Sequence, residues 1–593
     1  MAVRRSKGLQ VIRWALAFVA LLVFLAISFR AGWVRSTTDF PNYYTAAVLV
    51  TKHAPLRNYY DWPWFQTQMN YAGIEDQLGG YIPQTPLTML PIVPLAGLQP
   101  QTAKRVWLMV NLGLLIAIIC LLSRVTRFGI PEISLLVFAG FGTLHSNFLF
   151  GQYYVFLLFL LTAAYYLLSR QRPFSAGMLL GLTFVLKLYG APFLLYFALK
   201  HRWRAVSGML AAAVVGMLAV ILLFGWSDLI YFSLHILPRA AQGATLDPYN
   251  GGNGTITTQL RRAFVIEPEL NPHPLWNAPW LFFFLQPFVT VLILLIPSLL
   301  LRRSNSPKRD FAWFCIALLL ASPNTASYTF VLLLLPVALL LDEAGRIERV
   351  ALLSCYILLC WPMHPVWLLL ALLILVGRHY ADLLRRNELI MAVTGAALVA
   401  LTIAWRDQNA YRLEPGRHWD RVAAQRGAIY SSSPVVLRCG IVYESIGKQH
   451  YVLRWAHDGK NEEFVFPGEA FHPQAESPDG SIRFELIAHG TSKSMLLDLF
   501  TKKLTPAAGQ TPVRDQAVSP DGRWIAYTRT RAGSEHLWLR STKGGQAILL
   551  AGGNCNSFAP AWEPDSQSLI FASDCDRGIG LPALYRARLN HKS

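Results

Sequence analysis

The stretch "VIRWALAFVALLVFLAISFRAGWVRSTTDFPNYYTAAVLV", residues 11–50, decides what kind of protein this is. From Val11 to Trp33 it is a nearly unbroken apolar run, as long as the roughly 20 residues a helix needs to cross a bilayer. No small-residue cleavage site precedes the charged loop that follows, so the run reads as a retained helix and not a signal peptide. The basic cluster "VRRSK" stands before it; positive residues stay in the cytoplasm, which puts the N-terminus inside and Asp39 outside. Asp39 then precedes Phe40-Pro41 and a helix predicted over 40–52. It reads either as the N-cap of that helix or as a reactive carboxylate at the membrane surface.

The whole chain agrees with its first run. Its 593 residues are 54% hydrophobic and 15% charged, with a mean hydropathy of +0.36, too apolar for a soluble globular protein of this length. Its 18 Trp, 23 Tyr and 33 Phe suit many bilayer interfaces, where ring bodies sit in hydrocarbon and polar edges in water. The net charge of +19 does not indicate nucleic acid, because Lys and Arg fall in short islands between apolar runs, as in "KHRWR" at 200–204 and "RRSNSPKR" at 302–309. The apolar runs predict a polytopic α-helical membrane protein with about 13 transmembrane helices, some short enough to be broken or re-entrant. An odd number puts everything after Ala404 on the same side as Asp39.

Near Trp405 the composition turns abruptly polar, which sets the expected boundaries: a membrane domain over 1–405, a linker over 406–430 and a second domain over 431–593. The second domain repeats itself at about 40 residues, from His472, Val513 and Phe558, the length of a four-stranded propeller blade. Each unit places Ser-Pro-Asp-Gly or Glu-Pro-Asp-Ser before an alternating strand such as "RWIAYTR". A weaker unit from Val435 makes about four, giving an all-β, propeller-like exoplasmic domain, closed or open. The Asp and Gly residues of these units are turn formers. Cys555 and Cys575 can pair across adjacent strands in an oxidising compartment, leaving Cys439 over.

Polar residues near the apolar runs mark candidate sites. Lys187, in "LTFVLKLYGAPF", either snorkels to ordinary lipid headgroups or meets a phosphate as a compact positive charge. A Gly-rich turn followed by Arg261 and Arg262 can hold an anionic headgroup. Four prolines, Pro83, Pro86, Pro91 and Pro94, break any continuous helix through 83–95.

The ordered set "TDFPNYYTAA", "NYYDW", "YIPQTPLTMLPIVPLAGL", "GQYYVFLLFLL", "SAGMLLGLTFVLKLYGAPF" and "GNGTITTQLRR" resembles glycosyltransferase family 87, polyprenyl-phosphate-mannose-dependent proteins of the glycosyltransferase C fold. The resemblance covers about 10–340; the repeats resemble WD40-like units of TolB-type propellers. It implies transfer of mannose or another hexose from a polyprenyl-phosphate donor to a glycan or glycolipid acceptor at the outer face of a bacterial plasma membrane. Asp39 becomes the implied general base, and Lys187, Arg261 and Arg262 the groups that neutralise the leaving phosphate. Tyr43, Tyr44, Asp61, Tyr81, Gln152, Asn253 and Tyr328 are the further implied substrate-binding residues. No second carboxylate neighbours Asp39 in sequence, so no metal or other cofactor is expected. Two departures stand out. Tyr81-Ile82-Pro83-Gln84 replaces the family's frequent Tyr-Pro-Pro, and "SPNTASYTF" at 322–330 lacks its frequent histidine pair, which puts a proton-transfer role there in doubt. The rival class is a transporter or non-enzymatic scaffold whose propeller binds a protein or the cell wall. No repeat between the membrane halves supports it, and the polar residues gather on one side.

Overall fold

The computed structural model describes residues 7–589 apart from 36–38, 76, 246, 251–253, 362–365, 384, 411–418, 448–449, 509–515, 532, 554, 576 and 578. Among the described residues six helices are long and apolar enough to cross a membrane: Gly8–Val34, Pro100–Val125, Trp203–Phe224, Pro279–Leu301, Val366–Leu383 and Arg386–Asp407. A seventh crossing forms if Ile130–Ala139 and Phe141–Phe150, bent by 76° at their junction, count as one span. Their apolar faces point outward, as Leu222 at 86% exposure does, which only a hydrocarbon solvent favours.

Six, or seven with the bent pair, do not confirm the expected count of about 13. Several of the missing runs are short helices walled in by protein. Pro307–Ala321 is buried at every position from Asp310 to Ala321, and at 1.5 Å per residue it spans only about 22 Å. The run at 326–341 is a 3₁₀ turn, Ser327–Leu333, leading into the buried helix Leu334–Glu343. A helix that is apolar all round is buried in protein or in lipid, and hydropathy alone cannot separate the two. Through 83–95 the prolines leave turns and a short 3₁₀ helix, Leu90–Leu95.

The C-terminal region is a β-propeller of four four-stranded antiparallel sheets. Three blades are built from consecutive strands. The last borrows its outer strand, Asp420–Arg421, from upstream of the first blade, pairing it with Ala583–Arg588 and so joining the two ends of the propeller. That strand lies inside the stretch expected to be only linker. The repeated Asp residues serve turns: the Asp521 carboxylate accepts from Ser519 Oγ at 2.6 Å and from the Arg523 N–H at 3.0 Å, and Gly522 sits at φ +69°, where glycine carries no steric penalty. Cys555 and Cys575 form a disulfide across the last blade, 20 positions apart. In the loop-entropy account such a link stabilises by about 3 kcal/mol. Cys555→Ser is therefore expected to lower the propeller's unfolding temperature in a differential scan; an unchanged transition would show that the cross-link is redundant.

The propeller is docked on the loops between membrane helices through one shared apolar core, in which Phe40, Tyr43 and Trp62 pack with Tyr430, Ile446 and Tyr451. Polar bonds fix its register. Trp62 Nε1 donates to the Ile579 carbonyl at 2.7 Å, the Gly490 N–H to Asn70 Oδ1 at 3.1 Å, and Arg239 pairs with Asp574 at 3.2 Å. Arg577, 1% exposed at its side chain, binds both Glu267 and Glu269.

Candidate active site

The helix Phe40–Thr51 begins where Pro41 presets a helical φ, and Asp39 occupies its N-cap position. Yet the Asp39 side chain makes no capping hydrogen bond. Its Oδ2 accepts instead from Gln152 Nε2 at 2.5 Å. Gln152 Oε1 in turn accepts from the hydroxyl of Tyr43, one helical turn after Asp39, at 2.8 Å. That phenol oxygen accepts from Lys187 Nζ at 3.1 Å, and Lys187 also donates to Gln84 Oε1. One relay thus runs from carboxylate to ammonium through an amide and a phenol.

Local structure aims each member. Gly151, at φ +63°, ends the helix before Gln152, and a Cβ there would lie 2.8 Å from that of Phe40; only glycine lets Gln152 approach so closely. Lys187 is the last residue of Pro173–Lys187, followed by left-handed Leu188, so its side chain leaves the helix end and passes 5.0 Å from the Tyr43 ring centroid. Tyr328, on the 3₁₀ turn, lines the same cavity as Asp39 and packs 5.3 Å from Tyr154. Lys104, 1% exposed, donates to the carbonyls of Arg35 at 2.8 Å and Leu149 at 2.9 Å, tying together the two segments that carry Asp39 and Gln152.

Burial is the largest influence on Asp39 and holds its carboxyl above the usual range; the Gln152 hydrogen bond and the positive charges of Lys187 and Lys104 act against it. The group faces a cavity of about 660 Å³, inside the roughly 300–1,000 Å³ of ordinary ligand sites. Among the described residues Asp39 is the one carboxylate and Lys187 the one ammonium lining it. Ile446 and Tyr451 of the first blade, Ser431–Phe464, complete the wall.

Asp39, Tyr43, Gln152, Lys187 and Tyr328 therefore meet in one cavity; the other described candidates do not. The Tyr44 hydroxyl is used on the Leu98 carbonyl at 2.6 Å, and that of Tyr81, wholly buried, on the Thr85 carbonyl at 3.0 Å. Asp61 caps Trp62–Tyr71 through the Trp64 N–H at 3.1 Å and faces a different cavity. Arg261 is turned inward, donating to the Gln242 carbonyl at 3.0 Å with its guanidinium 4.5 Å from the Phe282 ring centroid. Arg262 lies on the exposed side of the same helix. Asn253 is outside the described residues.

Gln84, Lys104, Tyr154 and Tyr451 escaped the sequence reading. Gln84 and Tyr154 lie inside the quoted motifs and were there to be found; nothing local marks Lys104 at a helix start or Tyr451 in a strand. For a metal, the one close grouping of His, Cys, Asp and Glu among the described residues is Cys555, Asp574 and Cys575, and its sulfurs are joined to each other.

The model of glycosyltransferase family 87 matches residues 83–323, a segment that holds Gln84, Gln152 and Lys187 and starts after Asp39 and Tyr43. No curated protein matches the chain. Among solved structures, the tricorn protease matches at 19% identity and TM-score 0.13, over 26% of this chain and 15% of that one. TolB from Acinetobacter baumannii matches at 11% identity and TM-score 0.14, over 26% of this chain and 43% of that one. The chain thus spans well under two thirds of either structure. Over residues 83–323 it is similar to glycosyltransferase family 87, and the class this indicates is a membrane glycosyltransferase.

Proposed function

We propose that this chain transfers mannose or another hexose from a polyprenyl-phosphate donor to a glycan or glycolipid acceptor at the exoplasmic face of a bacterial plasma membrane. The observation that carries the reading is the pairing of one carboxylate, Asp39, with one ammonium, Lys187, across a single relay in one cavity. A hexosyl phosphate needs those two functions. As the acceptor hydroxyl oxygen bonds to the anomeric carbon, its proton passes to Asp39. The bond from that carbon to the phosphate oxygen breaks, its electron pair leaves with the phosphate, and Lys187 offsets the charge. Because the propeller packs on the loops that carry Asp39 and lends Tyr451 to the cavity, this reading also puts the propeller outside; a reporter fused after Ser593 should give an exoplasmic signal.

The direct test is reconstitution of the purified chain with labelled polyprenyl-phosphate hexoses and a mixed glycan acceptor. Label should enter the acceptor with equimolar release of polyprenyl phosphate; consumption of nucleotide sugars alone would exclude the reading. The pH profile supplies a second check. A base must be ionised, so the raised Asp39 puts the acid limb of kcat/KM above the ordinary carboxylate range, with activity lost as pH falls through it. Lys187→Met removes a charge that pulls Asp39 down, so the limb should move to still higher pH. A limb that stays put in this variant would uncouple the pair.

A further inference from the structure

The four blades and the membrane-side loops enclose a second, larger cavity of about 1610 Å³, beyond the size of an ordinary small-molecule pocket. Its lining mixes the rings of Trp64, Tyr231 and Phe558 with the carboxylates of Asp61, Glu444 and Glu535. Carboxylates accept hydrogen bonds and ring faces stack on flat apolar surfaces, a combination that suits a chain of hydroxyl donors with apolar sugar faces. The acidic lining disfavours an anionic ligand.

The two cavities adjoin. Trp62 lines both, clasped between Gly80 and Gly580, where added Cβ atoms would come within 2.0 Å and 2.8 Å of its ring. Tyr430, in the large cavity, packs edge-on at 5.3 Å against Tyr451, in the small one. Tyr451 is 1% exposed, and its hydroxyl has no hydrogen-bond partner among the described residues. A buried orphan hydroxyl costs free energy unless a ligand supplies what the protein does not. Thr325, also buried with an orphan hydroxyl, lines the same small cavity.

We infer that the propeller cavity is an acceptor site for an extended neutral glycan, which lies along Trp64 and Tyr231 and presents its end past Trp62 to Tyr451 and Asp39. This rests on the transferase reading for the role of the chain end, but not for the binding itself. The test uses the purified full-length protein and calorimetric titration with unbranched neutral oligosaccharides of glucose, mannose, galactose or arabinose, each in lengths from one to eight units. Affinity should rise with length for at least one of the four series, and Trp64→Ala and Tyr231→Ala should each weaken the longest member about tenfold. Binding is read without any donor present, so failure of the base assignment stays separable from failure of this site. Equal affinity for one unit and eight, no binding by any series, unchanged binding in both ring variants, or capture of an oligolysine in place of every saccharide would each overturn it.

Discussion

Asp39→Asn is expected to lower hexose transfer by roughly 10²- to 10⁴-fold, the usual contribution of a positioned general base. The substitution is sharp because so little else changes. The side chain does not cap its helix, and Asn can still accept the Gln152 hydrogen bond through its remaining oxygen. Stability should move the other way. Burial raises Asp39 above its unfolded value, so the folded chain holds that proton more tightly than the unfolded one. Its contribution to stability is full below the unfolded pKa and lost as pH rises through the folded one; near neutrality an ionised, desolvated Asp39 costs stability that Asn does not. The unfolding temperature of the variant at neutral pH should equal or exceed that of the wild type while transfer collapses. Undiminished transfer would remove Asp39 from the chemistry; lost transfer with a lowered unfolding temperature would reassign it to structure.

The second large effect is expected from Arg577→Met. Arg577 Nη1 meets Glu267 at 2.8 Å and also binds Glu269, while its other nitrogens donate to the carbonyls of Ala428 at 2.8 Å and Leu581 at 3.0 Å. All three charged side chains are at most 2% exposed. Methionine fills similar space but leaves two buried carboxylates to Arg421, whose second contact, to Glu269, is long at 3.7 Å. Removing one partner of a buried ion pair typically costs about 3–5 kcal/mol. The expected readout is release of the propeller by limited proteolysis at protease concentrations that leave the wild type intact. The defect should shrink at acid pH, because burial already raises Glu269 and loss of the arginine raises it further, so the folded chain takes up the proton that relieves the repulsion. Equal protease resistance in the two proteins would mean that the apolar core alone holds the domains together.

Legibility in the sequence followed the range of the signal. The propeller was legible because each Ser-Pro-Asp-Gly turn is local; the strand Asp420–Arg421 was not, since two residues carry no pattern and its partner lies at the far end of the domain. Apolar runs showed that the chain enters a membrane, but not how often, because Pro307–Ala321 is as apolar as a lipid-facing helix while buried in protein. At the site, Asp39, Gln152 and Lys187 stood out as polar groups beside apolar ones. Arg261 stood out for following a Gly-rich turn, and its charge is used on an internal carbonyl and a ring. Tyr451 had nothing local to mark it, since its position depends on how two domains dock.

The borrowed strand also sets a schedule. Asp420–Arg421 is made before the first blade, yet its partner Ala583–Arg588 is made after every other strand. Domains fold as synthesis proceeds, so the membrane helices and three blades can form early, while the last blade waits for that strand. Arg577 and Ile579, which hold the docking interface, belong to that late segment. A nascent chain therefore has Asp39, Gln152 and Lys187 before the roof that Ile446 and Tyr451 of the first blade supply, and completion of the last blade is the step that fixes that roof in place.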